Sequence, residues 1–248
     1  MRTANPALNE KIFRDYANRS QQGGSMTIQG AVNKTAILLF CLMLTATWTW
    51  SLFFNSWNPA TVTPWVFGGA IGGFIVAMIT VFKKEWAPVT APVYALLEGL
   101  FIGGISAIFE AKYPGIVIQA VGLTFGTLGG LLLAYKSGMI KATENFKMGV
   151  VAATGGIALV YVISIIMGMF GMNMPFIHES GTFGILFSLF VVVIAALNLV
   201  LDFDFIEQGA QRGAPAFMEW YAAFGLMVTL VWLYVEILRL LSKLNSRR

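Results

Sequence analysis

Charge is what this sequence has least of. Only 11% of its 248 residues are Asp, Glu, Lys or Arg, against about a quarter in a typical soluble domain. The apolar fraction is 57% and the mean hydropathy +0.74. So few polar groups cannot cover a globule in water, which excludes a cytosolic enzyme, a nucleic-acid module and a disordered chain. Cysteine is nearly absent: Cys41 alone forms no internal disulfide, and with a single histidine it argues against a zinc centre. No cofactor is expected. The alternating strands of a membrane β-barrel are missing too. What remains is an all-α polytopic membrane protein, and its net charge of +4 reads as topology rather than affinity for nucleic acid.

Seven apolar runs stand out, at about 35–54, 65–82, 89–109, 114–135, 148–170, 181–205 and 216–241, most near the roughly 20 residues that cross a bilayer. They predict a seven-transmembrane-helix bundle over 34–243, after a polar N-terminal tail (1–33) and before a short basic C-terminal tail (244–248). The tail lacks the apolar core of a signal peptide and is expected to be retained, with Gln21 to Ser25 as a flexible joint. The breaks have local causes. Asn55 to Pro64 reads as a polar turn, Lys83-Lys84-Glu85 precedes Pro88, and Lys112-Tyr113 precedes Pro114. Lys136 to Lys147 and Gly209 to Pro215 are polar connections, and Gly171 to Glu179 holds Pro175.

Glycines four residues apart mark three helices: Gly68/Gly72 and Gly69/Gly73, then Gly99/Gly103 with Ala107, then Gly122/Gly126/Gly130. That spacing puts each set on one face, where backbones can approach closely, and intramolecular packing is the expected use. Oligomeric state is left open. Eleven of the sixteen Lys and Arg fall on the side of the N-terminus if all seven runs cross, which places that side in the cytoplasm. The basic C-terminus then lies outside, against the rule. A last run that re-entered instead would bring it back inside.

An ionisable side chain in hydrocarbon costs several kcal/mol, at least about 2.5 for Asp at mid-helix on the insertion scale, so acids inside the apolar runs are the informative residues. They are Glu98 in the third run, Asp202 and Asp204 at the end of the sixth, and Glu219 and Glu236 in the seventh. Asn198 and Asp202 are one turn apart and share a face, whereas Asp204 points nearly opposite and suits the headgroup level. Arg239, three residues after Glu236, is placed to pair with it.

Leu201-Asp202-Phe203-Asp204-Phe205-Ile206 resembles the sixth-helix acid motif of the Bax inhibitor-1 family. Leu233-Tyr234-Val235-Glu236 is similar to that family's Leu-Tyr-Leu-Asp segment in the last helix, and Leu97-Glu98-Gly99-Leu100-Phe101-Ile102-Gly103 to its third-helix signature. The resemblance covers nearly the whole chain past the tail, and the polar, signal-free N-terminus fits a bacterial member in the plasma membrane. It implies that acids from the last two helices, here Asp202 and Glu236, form a hydrogen-bonded pair that gates a pH-sensitive Ca²⁺ leak. Two touching carboxylates at low dielectric share a proton, deprotonation makes them repel, and freed oxygens suit transient Ca²⁺ ligation. Two departures stand out. Glu replaces Asp in the last helix, and the preceding connection is long enough to leave the register open. A helix starting near Phe224 would allow Asp202–Glu236, whereas one starting at Pro215 would put Glu236 out of reach and make Glu219 the better partner. Glu98 has a structural reading as an acid hydrogen-bonded to a neighbouring helix.

Other signals are weaker. His178-Glu179-Ser180-Gly181-Thr182 starts like a zincin but lacks the second histidine, and reads better as a loop with a cap at Ser180. No Gly-x-Gly-Asp motif supports an intramembrane aspartyl protease, and no enzyme is expected. Beside the leak stand two alternatives: a non-conducting regulator that binds another membrane protein, such as a quality-control protease, and a proton-coupled transporter. The expected partners are membrane lipids, Ca²⁺ and protons, with a membrane protein in the regulator reading.

Overall fold

The computed structural model describes residues 24–171 and 181–247. Seven long helices lie within them: α1 (Ile28–Ser56), α2 (Pro59–Phe82), α3 (Ala87–Lys112), α4 (Ile116–Lys136), α5 (Glu144–Met169), α6 (Thr182–Gln211) and α7 (Met218–Asn245). A 3-10 turn, Lys84–Trp86, leads into α3. No strand occurs among the described residues, where a single isolated bridge joins Ser25 to Pro215. All seven helices are long and apolar enough to cross a membrane. Large side chains such as Phe40, Phe74, Phe82, Ile118 and Leu133 are more than half exposed. Such a surface is a liability in water and the natural face toward lipid. The fold is an all-α polytopic membrane bundle.

The helices run further than hydropathy suggests, because local chemistry sets their ends. α1 begins at Ile28, within the stretch read as tail, since the Thr27 hydroxyl caps it by accepting from Gly30 N at 2.8 Å. The expected turn over 55–64 shrinks to Trp57 and Asn58. Pro59 opens α2, where its missing N–H is not needed, and Asn58 Oδ1 accepts from Ala60 N at 3.0 Å. α5 starts at Glu144, capped by Thr143. α6 continues past residue 205 to Gln211. α7 is one unbroken helix of 28 residues, about 42 Å at 1.5 Å per residue, and has the length of a full crossing rather than of a re-entrant segment. Residues 1–23 and the proposed cap at Ser180 lie outside the described residues. The end of the supposed joint, Gly24 and Ser25, is tied down: Ala216 N donates to Gly24 O at 3.1 Å, and Met26 N to Ala214 O at 2.6 Å.

Packing divides the chain into two units. One holds, among its described residues, 24–114 and 204–228. Within it α3 packs against both α1 and α2. Gly99 lies against Leu42 O and Thr45 Oγ1 of α1, Gly103 against Ala46 O and Thr49 Oγ1, and a methyl group at either would overlap them. On the α2 side Gly69 meets the α3 backbone at Leu97 and Phe101. These glycines let backbones approach, and Thr45 uses the approach to donate to Leu96 O at 2.8 Å.

The other unit holds 115–203 and 229–248 with the same restriction. Its α5, α6 and α7 meet around Ile157, Val191 and Ile194, with Tyr161, Phe187 and Trp232 packed on them. The α4 row departs from expectation. Gly122, Gly126 and Gly130 have nothing within 4 Å of the place a Cβ would occupy, so they form no intramolecular seam among the described residues. Small residues permit a close approach but do not compel one.

Gly99→Ala should therefore destabilise the detergent-purified protein by about 1–3 kcal/mol through overpacking. Gly126→Ala should leave it unchanged or slightly more stable, since a helical Gly→Ala gains up to about 1 kcal/mol. Thermal unfolding of the two variants side by side checks this.

Candidate functional site

The informative acids fall into two settings. In the unit built on α5, α6 and α7, polar side chains recur at intervals that keep them on one face of each helix. On α7, Thr229, Glu236 and Lys243 follow at two-turn spacing. On α6, Asp202 and Asn198 lie one turn apart, with Ser188 further back. All six are buried.

Glu236 is 2% exposed, and both its oxygens are engaged. Arg239 Nη1 donates to Oε1 at 2.9 Å and to Oε2 at 3.1 Å, and the Tyr161 hydroxyl of α5 donates to Oε1 at 2.9 Å. That hydroxyl also accepts from Arg239 Nη1 at 2.7 Å, and the guanidinium lies 5.2 Å from the Tyr161 ring centre. The i, i+3 pairing weighed from the sequence is thus present, with a tyrosine closing it into a triangle. Asp202 takes a hydrogen bond from the Thr229 side chain. Its Oδ2 is buried and has no hydrogen-bond partner among the described residues.

Thr229, which holds Asp202, and Glu236 stand seven residues apart on α7, about 10.5 Å along the axis. Asp202 and Glu236 therefore occupy one helix interface two turns apart and are not joined in a direct hydrogen-bonded pair. The cause is register between the two helices: Thr229 rather than Glu236 comes level with Asp202. Around the two acids, Asn198 Nδ2 donates to Thr154 Oγ1 of α5 at 2.9 Å, and Lys243 Nζ donates to Ser188 Oγ at 2.8 Å and Gly184 O at 3.0 Å. Among the described residues no three His, Cys, Asp or Glu side chains converge in a way that could hold a metal ion.

The remaining acids belong to the other unit. Glu219, at the start of α7, accepts from Thr27 N and Thr27 Oγ1, both at 2.9 Å, and pairs with Lys34 Nζ at 3.1 Å. Gly30 makes this possible, because a Cβ there would coincide with the Glu219 carboxylate. Its carboxylate thus ties the first turn of α7 to the first turns of α1. Glu98, at the edge of full burial, hydrogen-bonds Tyr94 one turn earlier on its own helix, where a partner on a neighbouring helix was expected. Gly73 of α2 leaves room for its Oε2. Asp204 is half-buried and accepts from Gln208 Nε2 at 2.6 Å.

Tyr161, Thr229 and Thr154 escape a search for ionisable residues, yet each serves a buried polar group. A tyrosine or threonine deep in an apolar run needs a partner for its hydroxyl, and that need is the signal that marks them.

A family model described as Bax inhibitor 1 like matches residues 5–246. A comparison with curated proteins found no match.

The Glu219 contacts give a test of the clamp. Glu219→Ala removes the acceptor of the Thr27 N–H and the partner of Lys34, which should cost about 2 kcal/mol. Amide exchange at residues 26–30 should accelerate before the rest of α1 does, as read by hydrogen–deuterium exchange.

Proposed function

The chain belongs to the Bax inhibitor 1 like family, and on that premise we propose that it is a pH-sensitive passive cation leak, with Ca²⁺ as the substrate and Asp202 and Glu236 as the gating acids. The observation that carries this reading is the Asp202 carboxylate, 3% exposed and with one oxygen left without a partner. An unsatisfied acid inside hydrocarbon is expensive to keep for packing alone. Hard carboxylate oxygens attract Ca²⁺, and a sparse ligand set binds it weakly enough to release it. Asp202 and Glu236 then act in series along the α6–α7 interface rather than as a dyad: a cation drawn to Asp202 meets Glu236 two turns on. Protonating the Asp202 carboxyl removes its attraction, so the leak rises as that acid ionises.

The excess of Lys and Arg on the N-terminal side supports a cytoplasmic N-terminus, and the reading takes the multi-pass protein to sit in the plasma membrane. Glu98 has its hydrogen bond to Tyr94 and plays a structural part. The regulator remains a second reading, favoured by the open glycine row of α4, a surface on which another membrane helix could pack.

Liposomes containing the purified protein, assayed from about pH 6 to 8, should show Ca²⁺ entry that increases with pH. Asp202→Asn should lose that dependence, Glu236→Gln should change the amount of entry, and Glu98→Gln should keep both. Entry no greater than into empty liposomes at any pH would reject the leak in favour of the regulator.

A further inference from the structure

Arg239 grips Glu236 end-on: one nitrogen, Nη1, reaches both carboxylate oxygens and the Tyr161 hydroxyl as well. A guanidinium has five N–H donors and can clamp a carboxylate with two of its nitrogens, so this is a loose use of the residue. The pair is also asymmetric. The Glu236 side chain is 2% exposed and the Arg239 side chain 36%. The cation stands at the rim of the interface and the acid inside it. Tyr161 is a further hydrogen-bond donor to the carboxylate.

Building on the leak reading, we propose that Arg239 is a tethered counter-cation, its guanidinium occupying at Glu236 the place that a permeating Ca²⁺ must take. A divalent ion arriving from Asp202 competes with a single positive charge for the same two oxygens. While Arg239 stays, held in part by the Tyr161 hydroxyl, it repels the ion; when it swings away, the Glu236 carboxylate is left to receive it. With no converging set of three acids among the described residues, the ion is held weakly and passes on. Arg239 thus sets the height of the step between the two acids, and a fixed structural ion pair would not behave this way.

Two readouts test the proposal. In the liposome assay, Arg239→Gln should raise Ca²⁺ entry at least about fivefold, the scale of removing one opposing charge beside the acid. Tyr161→Phe, which keeps both charges and so tolerates any folding cost of the first variant, should raise entry by a smaller factor. The Glu236→Gln/Arg239→Gln double variant should lose the gain. In the wild type, modification of Arg239 by phenylglyoxal, followed by mass spectrometry, should quicken with millimolar Ca²⁺ but not with choline at equal ionic strength. A wild-type leak left unchanged or lowered by both single variants overturns the proposal, as does modification indifferent to Ca²⁺. Ca²⁺-dependent modification without flux in any protein would instead reject the leak and leave Ca²⁺ competing with Arg239 at Glu236.

Discussion

A carboxylate inside hydrocarbon has to be neutralised where it stands, because no water is there to do it. Glu236 meets that constraint with Arg239 and Tyr161, and the α5–α7 contact is arranged around them. An acid held this way is costly to strip of its partner, since an uncompensated charge would stay buried. The neighbouring polar groups follow the same rule with neutral means. Asn198 is satisfied by Thr154 and by the Ile194 carbonyl, and Lys243 by Ser188 and the Gly184 carbonyl. Asp202 departs from it in one oxygen, and the functional reading starts from that departure.

The two units solve the problem of helix association differently. Where α3 meets α1 and α2, the means is small size: Gly99, Gly103 and Gly69 bring backbones together, and threonine hydroxyls use the resulting proximity. Where α5, α6 and α7 meet, the means is polarity, with apolar side chains such as Ile157 and Val191 filling the space between the polar contacts. Lipid tails are as apolar as leucine, so neither contact draws on the hydrophobic effect that would hold such helices together in water. The first kind suits a rigid scaffold. The second draws on hydrogen bonds and one ion pair between side chains, the chemistry that the proposed leak uses.

Much of this was legible along the chain. Length, scarce charge and seven apolar runs dictate a helical membrane bundle, and the order of the Glu98, Asp202 and Glu236 segments carries the family resemblance that the match over residues 5–246 bears out. That Asp202 and Asp204 lie on opposite faces follows from helical periodicity alone, and the structure buries the first and half-buries the second. Helix ends were less legible, because hydropathy averages over several residues while a cap such as Thr27 or Asn58 acts through one hydrogen bond. The glycine rows also looked alike in sequence, yet those of α3 are filled by neighbours and that of α4 is open. Spacing fixes which face a residue occupies and says nothing of what stands opposite.

The same division governs the site. By itself the sequence determined that acids sit in membrane-spanning helices, that Asp202 shares a face with Asn198, and that Arg239 lies within reach of Glu236, since all of these depend on distances along one helix. Only the tertiary structure decided that Asp202 is level with Thr229, that Glu219 is bound by Thr27 and Lys34, and that Tyr161 completes the Glu236 contact. Those facts depend on the register between helices. A slide of two turns exchanges one partner for another while every residue keeps its face and its hydropathy, so nothing along the chain records it.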